Sequence, residues 1–199
     1  VGYNGYGQLG LGNRTNQTIP QEILENGAKE VAAGANHTVV LKTDGTAWAT
    51  GTNGNNRSGT AYYILGLGKI YDTTFSSSGT NYVVYKLHQM KVGDDTTNIT
   101  DGKHISANGN MTYISSQAGG IYTVGINTYG ALFNGSAVNS YWTTKVQEDK
   151  KVSAMAMTRN SATGAIVDED GMVYTVGYNG HGEIGNGTVQ NLTTPWCIS

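Results

Sequence analysis

Four histidines, one cysteine and two runs of carboxylates are the residues of this 199-residue chain best suited to bond chemistry. They are His37, His88, His104 and His181, then Cys197, then Asp94-Asp95 and Asp168-Glu169-Asp170. The histidines never fall one helical turn apart, so the ligand spacing of a zinc site is missing. The acidic runs could offer hard oxygens to Ca²⁺. Asp170, however, precedes Gly171 in a tight-turn dipeptide, and its neighbours read as solvated loop. Cys197 by itself makes neither an internal disulfide nor a metal site, and reads as a small apolar residue near a strand end. There is no Gly-x-Ser-x-Gly elbow and no glycine-rich phosphate loop running into a helix. Gly66-Leu67-Gly68 imitates half of such a loop but lacks its Lys-Ser/Thr end. With no nucleophile, base and orienting group in any pattern, the sequence predicts a non-catalytic protein that uses no metal and no cofactor.

Binding is the chemistry that remains. Between Asn55 and Asp101 lie Tyr62, Tyr63, Tyr71, Phe75, Tyr82 and Tyr85 among Gly and Ser. Tyrosine gives a large contact area with few torsions to freeze, and loops on a rigid scaffold are where recognition concentrates. Tyr62, Tyr63, Tyr71, Phe75 and Tyr82 are therefore candidate partner-binding residues. The other reading sends these side chains into the core of a divergent repeat, with Tyr82-Val83-Val84-Tyr85 as its strand.

The elements that would position such a surface come from an internal repeat. Val1-Gly2-Tyr3-Asn4-Gly5-Tyr6-Gly7-Gln8-Leu9-Gly10 aligns with Val176-Gly177-Tyr178-Asn179-Gly180-His181-Gly182-Glu183-Ile184-Gly185. Val124-Gly125-Ile126-Asn127 opens a third copy, and Thr50-Gly51-Thr52-Asn53-Gly54 a fourth that diverges. The key glycines Gly2, Gly51, Gly125 and Gly177 are 49, 74 and 52 residues apart. A unit of about 50 residues with one insertion accounts for this, and it is the length of known propeller repeats. Six residues ahead of the later three stand Gly45, Gly119 and Gly171, and three ahead stand Trp48, Tyr122 and Tyr174. Asp44-Gly45 and Asp170-Gly171 are strong hairpin signals because that turn needs positive φ. Strand-forming arms flank them, at Val39 to Leu41 with Thr46 to Thr50 and at Ala165 to Val167 with Met172 to Val176. Small-residue segments at Glu30 to Gly34, His104 to Asn108 and Lys151 to Met155 read as a preceding inner strand. No window has a convincing helical period; only Gln21 to Lys29 could hold a short turn. Each unit thus predicts about four short antiparallel strands, which must stack on neighbours to bury both faces. The predicted class is all-β, a β-propeller. Its repeats run over 2–50, 51–124 (insertion within 55–101), 125–176 and, in part, 177–199, in a single repeat domain over 1–199.

The residues Val31-Ala32-Ala33-Gly34-Ala35-Asn36-His37-Thr38-Val39-Val40-Leu41-Lys42-Thr43-Asp44-Gly45, followed by Trp48 and Gly51, resemble the regulator of chromosome condensation repeat. So does the run Gly2 to Gly10. The resemblance implies a seven-bladed propeller, of which this chain holds a partial arc of about three and a half units. It also implies that His37 is structural, buried between strands and hydrogen-bonded to backbone. Relatives of this repeat type include a guanine-nucleotide exchange factor and a β-lactamase inhibitor, so regulation of a partner protein is an alternative to a plain binding scaffold. A structural spacer or self-assembling unit is a further alternative. An open arc exposes strand edges, so closure is expected either from further blades of a longer chain or from homo-oligomerisation. The chain opens on Val1, which reads as a processed product or part of something longer.

Composition narrows the partners. Charged residues are 13%, against about 25% in average domains. The net charge of −2 supplies no basic stripe for nucleic acid. No apolar run reaches the ~18 residues of a membrane helix. The Thr- and Asn-rich, nearly Cys-free composition resembles secreted or surface-displayed bacterial β-proteins. The expected role is a scaffold binding an unknown protein or surface macromolecule outside the cell.

Overall fold

The computed structural model of the protein describes residues 1–56, 64–68, 70, 73–76, 80–93, 96–158 and 162–198. Every regular element among them is a strand, and the strands form three sheets. In the first, β1 (Ala28–Ala33), β2 (His37–Lys42), β3 (Ala47–Asn56) and β5 (Thr80–Gln89) lie side by side, with β4 (Thr73–Ser76) outside β5. The second is built on β8 (Gly102–Asn108), β9 (Met111–Ser116), β10 (Ile121–Gly125) and β11 (Ser140–Val146). Two short strands, β6 (Lys91–Val92) and β7 (Thr97–Asn98), extend its outer edge. The third is a four-stranded meander of β12 (Val152–Met157), β13 (Thr163–Asp168), β14 (Val173–Gly177) and β15 (Leu192–Ile198). Each predicted inner strand and hairpin arm lies on one of these strands. Gln21 to Gly27 is irregular, and β1 begins at Ala28, so the short helical turn is absent from that segment.

The insertion makes no separate sheet within its described residues. It supplies the outer strand of the first sheet, adds β4 beyond it, and sends β6 to pair in parallel with β11 of the second. Val83 and Val84 are both buried while Tyr82 and Tyr85 are half-buried, so the simple alternation of tyrosines into a core does not occur. The reason is register: β3 carries bulges at Ala49/Gly51 and Thr52/Gly54 where it meets β5, and a bulge shifts which side chains face in.

The sheets stack through their faces. Val39, Ala47 and Ala49 of the first meet Ile114, Tyr122 and Val124 of the second, with Leu65, Leu67, Met90 and Ile99 sealing the gap. Met111, Tyr113 and Ile121 of the second meet Val152, Ile166 and Val176 of the third, around Leu132 and Phe133. Register identifies the open end of the stack. Val31, Ile105 and Met155 pair with Val40, Ile114 and Ile166 respectively, so they occupy the same place in their sheets. Ile105 and Met155 pack on the preceding sheet. Val31 has no preceding sheet among the described residues and is 71% exposed. At the other end Trp196 and Ile198 of β15 are exposed.

His37 is buried, as expected, but its hydrogen-bond partner is a side chain of the next sheet: Nε2 lies 3.1 Å from Thr112 Oγ1. The strands' backbone groups are already used in the ladder, which leaves a neighbouring hydroxyl to satisfy the ring. Burial lowers its pKa to about 4, so the folded protein holds the neutral ring. The unfolded chain takes up the proton first, near pH 6.5. Stability from this group is complete above pH 6.5 and is lost as pH falls towards 4. At pH 5 we expect a loss of roughly 2 kcal/mol. Met111 holds the register-equivalent position, opposite Gly125 as His37 is opposite Gly51. His37→Met should therefore fold and flatten the difference in urea midpoint between pH 7 and pH 5. An unchanged difference would sink this assignment.

Candidate functional site

The chain turns over in the same way at three of the four key glycines, once ahead of the first sheet and then at the ends of β10 and β14. Gly2 pairs with Gln17, Gly125 with Ser140 and Gly177 with Leu192, so equal loops leave from one edge of the stack. These glycines have φ of 115°, 126° and 113°, and Gly51 has 115°. That backbone region is one that L side chains rarely adopt. In each loop an asparagine two residues on is buried and acts as a post. Asn179 accepts from Ile184 N through Oδ1 at 2.8 Å, and its Nδ2 donates to the Thr188 and Gln190 carbonyls. Asn127 does the same with Leu132 N and the Ser136 and Val138 carbonyls. Asn4 does so with Leu9 N and the Asn13 and Thr15 carbonyls. Asn53 grips Leu65 N and the Gly68 and Ile70 carbonyls. A second asparagine, Asn16, Asn139 or Asn191, accepts the post's own backbone N–H. A carboxamide suits this work because it carries two donors and an acceptor on one short stem.

The opposite edge is built from charge and hairpins. Asp44 accepts from Thr46 N and Oγ1 at 2.9 and 2.7 Å, and the Thr46 hydroxyl holds its carboxyl below the usual range. In the third sheet the carboxylate that closes the turn is Asp168, which accepts from Asp170 N and Met172 N, so the turn role expected of Asp170 falls to its neighbour. Gly45 and Gly171 both have φ of 82°, as the turns require. The repeat aromatics share one environment: the Lys42, Lys145 and Lys150 ammonium groups lie 4.4, 5.3 and 4.4 Å from the ring centres of Trp48, Tyr122 and Tyr174. Burial, then the hydrogen bond to Asp101, pushes the Tyr122 hydroxyl up to about 12.

The loop edge is the candidate site. Among the described residues of segments 3–16, 127–139 and 179–191, only Arg14 and Glu183 carry full charge. Tyr129 meets Tyr178 of the next loop edge-on at 5.1 Å, and Tyr3 meets Tyr6 at 6.1 Å, with Tyr3 and Tyr129 exposed. A cleft of about 420 Å³ opens there between the first and second sheets. Of the nominated residues, Tyr62, Tyr63 and Tyr71 lie outside the described residues. Phe75 lies on β4 opposite Asn81, and Tyr82 sits half-buried on β5 opposite Gly54 and Thr74. The structure therefore brings Tyr82 beside the cleft without assembling the nominated five. The loop asparagines and Tyr129 were not singled out from sequence. The signal for the posts was present, as asparagine recurs two residues after every key glycine.

Groups of three or more His, Cys, Asp or Glu able to hold a metal are absent among the described residues. No described helix is long and apolar enough to cross a membrane.

Comparison with known proteins agrees with this architecture. The Regulator of chromosome condensation (RCC1) repeat matches residues 1–41 and, in a second form, residues 28–57. The chain is 29% identical over 203 residues to the human probable E3 ubiquitin-protein ligase HERC4, covering 99% of this chain and 17% of that protein. It is 27% identical over 199 residues to the Arabidopsis thaliana ultraviolet-B receptor UVR8, covering 98% of this chain and 40% of that one. The chain thus spans well under half of these relatives. Among solved structures, human WBSCR16 superposes with a TM-score of 0.71 at 18% identity, over all of this chain and 47% of that one. Yeast RCC1 (Prp20), solved bound to Kap60, superposes with a TM-score of 0.69 at 18% identity, over 99% of this chain and 44% of that one.

Proposed function

We propose, from the premise that this chain is a β-propeller protein built of regulator of chromosome condensation repeats, that it is a non-catalytic scaffold binding another macromolecule through its loop edge. The observation that carries the proposal is the division of the molecule: a nearly uncharged edge of asparagine-anchored loops with exposed tyrosines, opposite an edge of charged hairpins. Rigidly held tyrosines give up little entropy on binding, which favours that edge for recognition. The Thr- and Asn-rich composition supports extending the proposal to a secreted or bacterial cell-surface placement. Closure of the exposed ends around Val31 and Trp196, by further blades or by a second copy, belongs to the same proposal.

Regulation of a partner protein is the second reading. It is favoured by the likeness in fold to a yeast protein whose structure is described with its binding to Gsp1p and histones.

The test is capture of a partner by the immobilised chain, followed by titration. Replacing Tyr3 and Tyr129 together by Ser should weaken binding about thirty-fold or more, as losing an aromatic anchor does. Asp170→Ser, in an exposed turn of the other edge, should leave it unchanged. Deleting residues 60–80 tests the insertion separately. Equal retention of the partner by the tyrosine variant and the parent chain would remove the loop edge from consideration.

A further inference from the structure

Asparagine followed by glycine is a pair able to rearrange by itself. The glycine carries no Cβ to shield its backbone nitrogen, which can close on the side-chain carbon of the asparagine. The chain holds seven such pairs. Whether one reacts depends on the carboxamide, which must turn its carbon onto the next nitrogen and so must first leave any hydrogen bond that holds it.

Six of the seven are held. The Asn4, Asn53 and Asn179 side chains are wholly buried posts, each bonded through both ends of the carboxamide. Asn108 Nδ2 donates to the Met157 carbonyl of the next sheet at 3.1 Å. Asn134 Oδ1 accepts from Asn127 Nδ2 and Ser136 N, and Asn186 Oδ1 accepts from Asn179 Nδ2 and Thr188 N. The seventh pair is Asn26-Gly27, just ahead of β1. Asn26 is exposed, and its side chain has no hydrogen-bond partner among the described residues. The Gly27 amide nitrogen donates to nothing among them either, while the Gly27 carbonyl accepts from Thr43 N at 2.8 Å. A Cβ built at Gly27 would meet nothing within 4 Å, so the approach is open. Gly135 and Gly187 are equally open, which leaves the held carboxamide as what separates Asn134 and Asn186 from Asn26.

Ring closure would not cover the pair. Ala28 pairs with Lys42 as Gly102 pairs with Ser116, so Thr100 stands ahead of β8 where Asn26 stands ahead of β1. Thr100 is exposed although the first sheet packs beside it. A blade ahead of β1 would leave Asn26 open to water in the same way.

We infer that Asn26 is a self-modification site. Gly27 N bonds to Asn26 Cγ, its proton passes to the departing amide, and ammonia leaves as the carboxamide C–N bond breaks. The cyclic imide then takes up one water, which opens it at either carbonyl. One opening gives aspartate; the other routes the main chain through the side-chain carbon and gives isoaspartate. Either product sets a new negative charge beside Glu25, and isoaspartate lengthens the main chain just ahead of β1. The site lies with the Thr43 hairpin, on the edge opposite the tyrosine loops, and stands independently of the scaffold reading.

The test is incubation of the whole chain at mildly alkaline pH in heavy-oxygen water, both folded and in urea. Peptide mass spectrometry, with fragmentation that separates aspartate from isoaspartate, follows each pair. In the folded chain Asn26 should convert at least about tenfold faster than any of the other six, because each of those needs a local opening first. In urea the seven should convert at similar rates. Gly27→Ala should slow Asn26 several-fold and leave the six held pairs unchanged, which also reports that the variant is folded. Conversion of Asn26 no faster than that of Asn134 or Asn186 in the folded chain overturns the inference. So does an Asn26 still intact in the folded chain when the unfolded chain has converted.

Discussion

Gly125→Ala should cost the protein on the order of 4 kcal/mol, while Gly171→Ala, at another positive-φ glycine, should cost only about 1–2 kcal/mol. Both residues sit in backbone regions that strain an L side chain, with φ of 126° and 82°. Their surroundings separate them. At Gly171 an added Cβ meets nothing within 4 Å. At Gly125 it would run into the Asn110 carbonyl oxygen and stand 2.8 Å from Met111 Cα, both backbone atoms of the adjoining turn and strand. Backbone cannot rotate away as a side chain can, so β9 and β10 must separate or shift. Gly51 has the same contacts with Asn36 and His37, and Gly177 with Ala162 and Thr163, which is why the glycine recurs. Domains of this kind are stable by only about 5–15 kcal/mol, so such a loss should lower the urea midpoint by a large fraction. Equal midpoints for the two variants would show that φ alone, and not close approach, accounts for the repeat glycine.

Asn127→Ala should cost a similar amount, about 3–5 kcal/mol. The side chain is wholly buried, and its loss leaves the Leu132 amide and the Ser136 and Val138 carbonyls without their partner. Asn127→Asp is the sharper variant. It keeps an acceptor for Leu132 N but turns a carboxylate towards two carbonyl oxygens, and it should be no more stable than the alanine. Asn134→Ala, on the rim of the same loop, removes one bond to the Asn127 amide and one to Ser136 N, and should cost about 1 kcal/mol. Hydrogen exchange across residues 127–139 should rise most in the Asn127 variants. A loop equally protected in Asn127→Ala and the parent chain would mean that Leu132 and Phe133, buried in the core beneath, hold it without the post.

Much of this fold is legible along the chain. Asp44-Gly45 and Asp170-Gly171 mark hairpins because turn chemistry is local, and the arms around them read as strands by residue type. The spacing of Gly2, Gly51, Gly125 and Gly177 is legible for the same reason, as each glycine answers a backbone demand at its own position. The insertion is less legible. Its residues join two different sheets, at β5 and at β6, and pairing between distant strands leaves no local mark. The candidate site divides in the same way. Tyrosines can be counted from sequence, but Tyr129 comes to stand edge-on to Tyr178 only because Asn127 and its bonds hold that loop in place.

By itself, then, the order of residues determined that the chain is all-β, that it repeats about every 50 residues, and where its turns fall. Those properties follow from φ/ψ limits and side-chain alternation, which act over a few residues. Tertiary structure alone decided that His37 answers to Thr112, that Glu30 accepts from the Ile105 amide, and that the Asn108 carboxamide donates to the Met157 carbonyl. Those are meetings between elements that only the stacking of one sheet on the next brings within hydrogen-bond reach.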